Sequence, residues 1–226
     1  MGMVFVALGV SLCSKADLGV SMIAAPPFVL SEWLVKRLPF FSVGVTEYAL
    51  QGVLLTILCL TIRRFRGRFL LTFAVAVLYG YLLNGCLALT ALLPVSSFAG
   101  RWILLLIGDV VTAFGVACFF RTYLPLQVYE LFVSEVARHF NFTIPKVKLW
   151  FDLSLLTLSF VLALTLFGDA ASFDWTRLGN TSFHSIGLGT LVTTAINSPL
   201  IALMGRLIDR FFDPTPRFHK LEEILR

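Results

Sequence analysis

The sequence is poor in charge. Only 14% of its 226 residues are Asp, Glu, Lys or Arg, too few to cover a soluble globule of this size with polar surface. Paired cysteines are missing as well. Cys13, Cys59, Cys86 and Cys118 each lie in an apolar stretch without ligand spacing, which excludes a disulfide framework or zinc ribbon and leaves small core residues. Its three histidines, His139, His184 and His219, are scattered among loops and ends, so no metal is expected. There is no Walker loop, nucleophile elbow or His-Glu-x-x-His helix. The familiar hydrolase signatures are thereby removed, and neither an enzyme nor a cofactor is expected. Met1 to Leu12 has no basic n-region, so the first apolar segment is expected to stay in the mature protein.

What is present is apolar. Hydrophobic residues make up 58% of the chain, 22 of them phenylalanine, and the mean hydropathy is +0.89. Such a chain belongs in a lipid bilayer. The net charge of +5 then reads as membrane topology, and no nucleic-acid partner is expected. The spacing predicts spans at Val43–Ile62, Phe69–Leu93, Trp102–Phe120, Leu149–Phe167 and Ile186–Leu207. Met1–Ser14 makes a sixth, rising only about 21 Å against a core of about 30 Å.

The chain also repeats itself. Ala7-Leu8-Gly9-Val10-Ser11 through Lys15 to Leu18 recurs as Ala113-Phe114-Gly115-Val116-Ala117 through Arg121 to Leu124; Ser31-Glu32 answers Ser134-Glu135, and Glu47 answers Asp152. Each copy holds three spans, with a shorter proline-bearing segment after the first, 20–37 (Pro26, Pro27) and 124–142 (Pro125). These segments are too short and polar to cross and read as re-entrant or interfacial helices, with proline near the first turn. An odd number of spans per copy turns the second copy upside down, as in many secondary transporters. The expected fold is an all-α polytopic membrane protein of six transmembrane helices, built as two inverted three-helix repeats at 1–93 and 94–212, with a cytoplasmic tail at 213–226. Placing both termini in the cytoplasm leaves thirteen of the eighteen Lys and Arg inside, in accord with the positive-inside rule.

At Leu18-Gly19-Val20-Ser21, Pro27-Phe28-Val29-Leu30-Ser31, Tyr129-Glu130-Leu131-Phe132-Val133, Lys146-Val147-Lys148, Phe151-Asp152 and Gly189-Thr190, the chain resembles the YczE-like branch of the YczE/YyaS/YitT bacterial membrane proteins. The resemblance implies a multi-pass protein of the bacterial cytoplasmic (inner) membrane, sometimes guessed to be a transporter. Two departures stand out. Met22 replaces the proline that often follows Gly-x-Ser, and Ser198-Pro199 follows Asn197 where glycine is expected; an interior proline would favour a kink in the last span.

The polar groups within this apolar chain are the site candidates. Asp109, near mid-span, reads either as a proton relay or coupling-ion ligand or as an interhelical hydrogen-bonding group beside Gly108. Lys15 and Arg121 share one repeat position before a broken helix. They would receive an anionic or zwitterionic solute together with the helix N-termini, or else snorkel to the headgroups. Glu130, Lys148 and Asp152, with Glu47 as the repeat counterpart of Asp152, form an acidic and basic set for ion pairing or for substrate and proton handling. Among the uncharged groups Gln51, Asn84, Thr190, Thr194 and Asn197, most serve as interhelical hydrogen-bond partners, and Asn84 and Asn197 are kept as candidates. The functional expectation is a small-solute transporter or permease with its site between the repeats. The alternative is a non-transporting accessory or substrate-binding subunit serving a partner enzyme or ATPase; a weaker third reading is an enzyme acting on lipid through Glu130, Lys148 and Asp152. Expected partners are the lipid bilayer, an unidentified small solute, and a partner protein or second copy.

Overall fold

Apolar runs broken by charge, proline and glycine produce eight helices in the computed structural model, which describes residues 2–38, 40–63, 67–95, 97–119, 127–167, 182 and 184–211. In order these are α1 (Gly2–Ala16), α2 (Ala25–Val35), α3 (Val43–Ile62), α4 (Gly67–Ala91), α5 (Phe98–Phe119), α6 (Val128–His139), α7 (Ile144–Phe167) and α8 (Leu188–Phe211). No strand occurs among the described residues. Helices α3, α4, α5, α7 and α8 are long and apolar enough to cross a membrane, and α1 is apolar but shorter. Large apolar side chains such as Leu60, Leu89, Leu106, Trp150 and Leu191 face outward from them, the surface a bilayer would cover.

Expected and observed limits coincide for α3 and differ by a few residues elsewhere. Hydropathy stops at the first charge, whereas backbone hydrogen bonding does not. So α5 takes in Arg101, α7 takes in Lys146 and Lys148, and α8 continues to Arg210. The last helix is continuous across Pro199.

Both short helices begin inside and end outside. α2 opens on buried Ala25, Pro26 and Pro27, with proline in the first turn where no amide partner is lost, and runs out to exposed Lys36 and Arg37. α6 opens on buried Val128 and Tyr129 and runs out to Arg138 and His139. Pro125 lies outside the described residues. The stretch leading into α2 reverses through left-handed backbone at Asp17 (φ 50°) and Gly19 (φ 112°). It is held by the entry to α8: Ser182 N donates to Asp17 O (2.9 Å), Gly189 N to Leu18 O (2.9 Å) and Val20 N to Ser185 O (3.0 Å).

The tightest helix pair is α1 against α5. A Cβ at Gly9 would lie 2.6 Å from Gly108 O, and one at Gly115 would lie 2.7 Å from Gly2 O. Contact numbers fall along α5 as they rise along α1, so the two helices are antiparallel. Further on, Cys13 Sγ approaches Leu105 O at 3.6 Å and Arg101 Nε donates to Ala16 O at 2.7 Å. Around this pair, α4 packs on α1 and α8 on α5; α3 also packs on α4. The remaining helices form a second group, in which α2 packs on α3 and α7, and α6 packs on α7 and α3. Leu54, Leu58, Phe69, Val128, Leu131, Phe151 and Leu155 form the core of that group.

Candidate functional site

Four of the sequence candidates meet where α3, α6 and α7 converge. Glu47, one turn into α3, is 4% exposed, and its Oε1 accepts a hydrogen bond from Gln51 Nε2 at 3.0 Å. The i,i+4 spacing puts both groups on one face of α3. The Tyr129 hydroxyl, from the first turn of α6, approaches the same carboxylate without completing a hydrogen bond of good geometry. Tyr79 of α4 stands within electrostatic reach of Glu47 and Glu130. Glu130 in turn interacts with Lys148 and Asp152 on α7, which pair with each other at 3.5 Å.

The set extends along the bundle. Phe167, at the end of α7, lies 5.0 Å below the Lys36 ammonium, just ahead of α3, so α3 and α7 start at opposite ends. Glu47 and Gln51 lie about 6 and 12 Å into α3, and Lys148 and Asp152 about 6 and 12 Å into α7 from the other side, at 1.5 Å per residue. Tyr129 and Glu130 bridge them. Their helix starts inside the protein, so its free N-terminal amides add positive potential there.

Much of this set is unsatisfied. Gln51 Oε1, the Tyr129 hydroxyl, Glu130 Oε2 and Asp152 Oδ1 are enclosed and have no hydrogen-bond partner. Natural proteins rarely leave such atoms unpaired, because each costs about 1–3 kcal/mol. Burial pushes the Glu130 carboxyl above its ordinary range; the Lys148 ammonium draws it back, and the Asp152 carboxylate pushes it up again.

The other candidates stand apart from this set. Lys15 Nζ donates to Ala91 O at 2.9 Å, tying the end of α1 to the end of α4. Asn84 is a capping residue. Its Oδ1 accepts from Gly44 N and its Nδ2 donates to Ser42 Oγ, both at 2.8 Å, closing the open start of α3. Asp109 is 3% exposed on α5, near Cys13 of α1, with Oδ2 unpartnered. Asn197 Oδ1 on α8 is likewise enclosed and unpartnered. Arg121 lies outside the described residues. The Ser-Glu pairs of the two copies are engaged elsewhere, Glu32 with His184 Nδ1 at 2.9 Å and Glu135 with Arg138 at 2.5 Å.

Sequence reasoning passed over three members of the set. The sequence alone points Gln51 to an interhelical hydrogen bond, whereas its bond is to Glu47 on its own helix, and it gives Tyr79 and Tyr129 no role. The available signals were the i,i+4 spacing of Gln51 from Glu47 and the position of Tyr129 beside Glu130 at the start of a broken helix. Among the described residues no three His, Cys, Asp or Glu side chains converge as a metal site.

The match that decides the family covers residues 1–206, and its description is a family of unknown function, DUF6198. The chain belongs to that family. No curated protein and no solved structure matches it.

Proposed function

We propose that the chain is a small-solute permease of the bacterial cytoplasmic membrane, with both termini inside and its path along Glu47, Gln51, Tyr129, Glu130, Asp152 and Lys148. The observation that carries this reading is that line of enclosed, partly unsatisfied polar groups, entered from opposite ends of the bundle by α3 and α7. Lipid-facing apolar helices have no use for such a line unless something polar moves or binds there. Among the described residues, three acids against one ammonium in this set favour a solute that bears positive charge, zwitterions included.

Support for two inverted repeats, 1–93 and 94–212, comes from packing. Exchanging α1 with α5, α2 with α6, α3 with α7 and α4 with α8 turns the α1/α4 contact into α5/α8, α2/α3 into α6/α7, and α2/α7 into α6/α3. The same exchange turns the Gly9–Gly108 approach into Gly115–Gly2. A two-fold axis between antiparallel α1 and α5 accounts for these pairs but not for α3/α4, which has no α7/α8 counterpart among the described residues; inverted-repeat transporters hold their sites between such halves. The resemblance to the YczE-like proteins agrees with this reading.

Uptake of a radiolabelled amino-acid and amine mixture into proteoliposomes, with and without a pH gradient, tests it. Flux above protein-free vesicles that falls about tenfold or more in Glu130→Gln and Asp152→Asn is expected, the scale on which loss of a charged hydrogen bond acts. Flux unchanged by both substitutions, or its absence beside a stoichiometric co-purifying protein, would refute the assignment; the second outcome would favour an accessory subunit.

A further inference from the structure

The unsatisfied atoms are not a random sample of polar chemistry. Gln51 Oε1, Glu130 Oε2 and Asp152 Oδ1 are acceptors with no donor, and the Tyr129 hydroxyl, which can accept, also lacks a partner; one enclosed donor, Gln127 Nε2 at the cap of α6, is unpartnered as well. Gln51 is 0% and Tyr129 3% exposed, so both lie beneath the protein surface. Both are directed at the Glu47 carboxylate, Gln51 through its amide nitrogen and Tyr129 through its hydroxyl. A group that completes the Gln51, Glu130 and Asp152 acceptors must bring donors. Among small-molecule functions, a protonated amine has that pattern: three N–H donors, a positive charge and no lone pair.

The surroundings agree. Phe151 lies 6.3 Å from the Tyr129 ring and 5.1 Å from Phe132, giving an aromatic wall suited to an alkyl chain and to the face of a cation. Charge favours the same class, since among the described residues the Lys148 ammonium is the one charged side chain that opposes the three acids Glu47, Glu130 and Asp152, the α6 amides adding only partial positive charge. A divalent metal suits the arrangement less, because the acids do not converge three to a point among the described residues. An ammonium instead meets an amide oxygen, a phenol and separated carboxylates.

We propose that the Gln51–Tyr129–Glu130 region is a binding site for a primary organic ammonium, its N–H groups donating to Gln51 Oε1, the Tyr129 hydroxyl and the Glu130 carboxylate. The assignment rests on the permease reading for its purpose and not for its chemistry. It differs from the anion expected at Lys15 and Arg121: Lys15 is engaged with the Ala91 carbonyl at the helix ends.

The test is equilibrium dialysis of radiolabelled n-butylammonium against the full chain in detergent micelles, with butyrate, tetramethylammonium and calcium as competitors. Saturable binding that only primary amines displace is expected. Gln51→Leu and Tyr129→Phe should each weaken it about tenfold or more, as when a hydrogen bond to a charged group is lost. Tyr129→Phe removes a hydroxyl with no partner in the empty protein and should melt no lower than the parent; Gln51→Leu also removes the bond to Glu47 and should fold but melt lower, and n-butylammonium should raise the melting temperature of the parent alone. Equal displacement by tetramethylammonium would overturn the donor argument, and displacement by calcium or butyrate would overturn the class. Undiminished binding in Gln51→Leu and Tyr129→Phe would overturn the location, and absence of binding would overturn the proposal. Binding without carriage into proteoliposomes would defeat the permease reading and leave this one standing. Carriage of another solute that n-butylammonium does not inhibit would defeat this one alone.

Discussion

Replacing Gly9 by alanine should loosen the α1/α5 pair, and the geometry sets the scale. The new Cβ would lie 2.5 Å from Thr112 N and 2.6 Å from Gly108 O. Both are backbone atoms of a helix, so no side-chain rotation relieves the clash and the two helices must part. Overpacking of this kind costs about 1–3 kcal/mol, less the fraction of a kcal/mol that alanine gains over glycine in helix propensity. For a chain of this size 1 kcal/mol corresponds to about 2–4 °C, so a net loss of about 1–1.5 kcal/mol at the middle of that range should lower the melting temperature of Gly9→Ala by about 2–6 °C. Gly85 of α4 is the control, because a Cβ there meets nothing within 4 Å; Gly85→Ala should hold or raise the melting temperature. Gly115→Ala should behave as Gly9→Ala does, since its Cβ would lie 2.7 Å from Gly2 O and from Val6 N. The two contacts stand about 10 Å apart along α5, far enough for the losses to add. Melting is read by intrinsic fluorescence in detergent on all three single variants and the Gly9/Gly115 double. A Gly9→Ala melt indistinguishable from Gly85→Ala would refute the close approach, and a Gly115→Ala effect absent beside a large Gly9→Ala effect would refute its two-fold character.

Three further outcomes follow from the site. Asn84→Ala removes both hydrogen bonds that close the start of α3; stability should fall by about 1–2 kcal/mol, as when a helix cap is lost, with n-butylammonium affinity unchanged by dialysis. Lys15→Met removes a partly exposed bond to Ala91 O, so the melting temperature should move by no more than about 2–4 °C and proteoliposome flux should be retained. Glu130 takes up its proton at higher pH than an ordinary glutamate because burial outweighs the Lys148 ammonium, whereas an alkylammonium stays charged up to about pH 10. Binding should therefore weaken as pH falls, and should do so at higher pH than an ordinary glutamate would dictate. The groups around Glu130 that share in this are Lys148 and Asp152 of α7, Glu47 of α3 and the Tyr79 and Tyr129 hydroxyls. Glu130→Gln should bind less tightly and show a flatter acid limb; a profile identical to that of the parent would remove Glu130 from the site.

Five long apolar helices were legible because a bilayer crossing writes itself as an unbroken run of about 20 apolar residues. The limits were less legible. Lys146 and Lys148 interrupt the hydropathy of α7 but not its hydrogen bonding, since a charge near a helix start is tolerated at an interface. Glu47, Glu130, Lys148 and Asp152 were visible because charge inside an apolar chain is conspicuous. Their neighbours were not. The repeat register relates Glu47 to Asp152, yet the groups at its carboxylate are Gln51 on its own helix and Tyr129 on α6; repeat correspondence gives equivalence, and contact needs the crossing of helices. Asn84 looked like a site residue for the same reason that it is a cap: both uses place a polar group deep in an apolar helix. Lys15 recurs at one repeat position with Arg121, and in the first copy it supplies a cation at the ends of α1 and α4, where carbonyls lack amide partners.

The packing of α3 against α6 bears on how the chain is made. Glu47 and Gln51 enter the membrane with α3, while Tyr129 and Glu130 lie about 80 residues later in the chain. At a synthesis rate of about 5–20 residues per second, α3 waits about 4–16 s for the helix that closes over its acid. Through that interval the side of the carboxylate that α6 later covers is open, although Tyr79 of α4 arrives about 30 residues after it. The hydrogen bond from Gln51 to Glu47 spans a single turn of one helix, and it is available as soon as α3 forms. Gln51 thus serves the nascent chain first, keeping an acid tolerable in lipid until the second half of the sequence arrives.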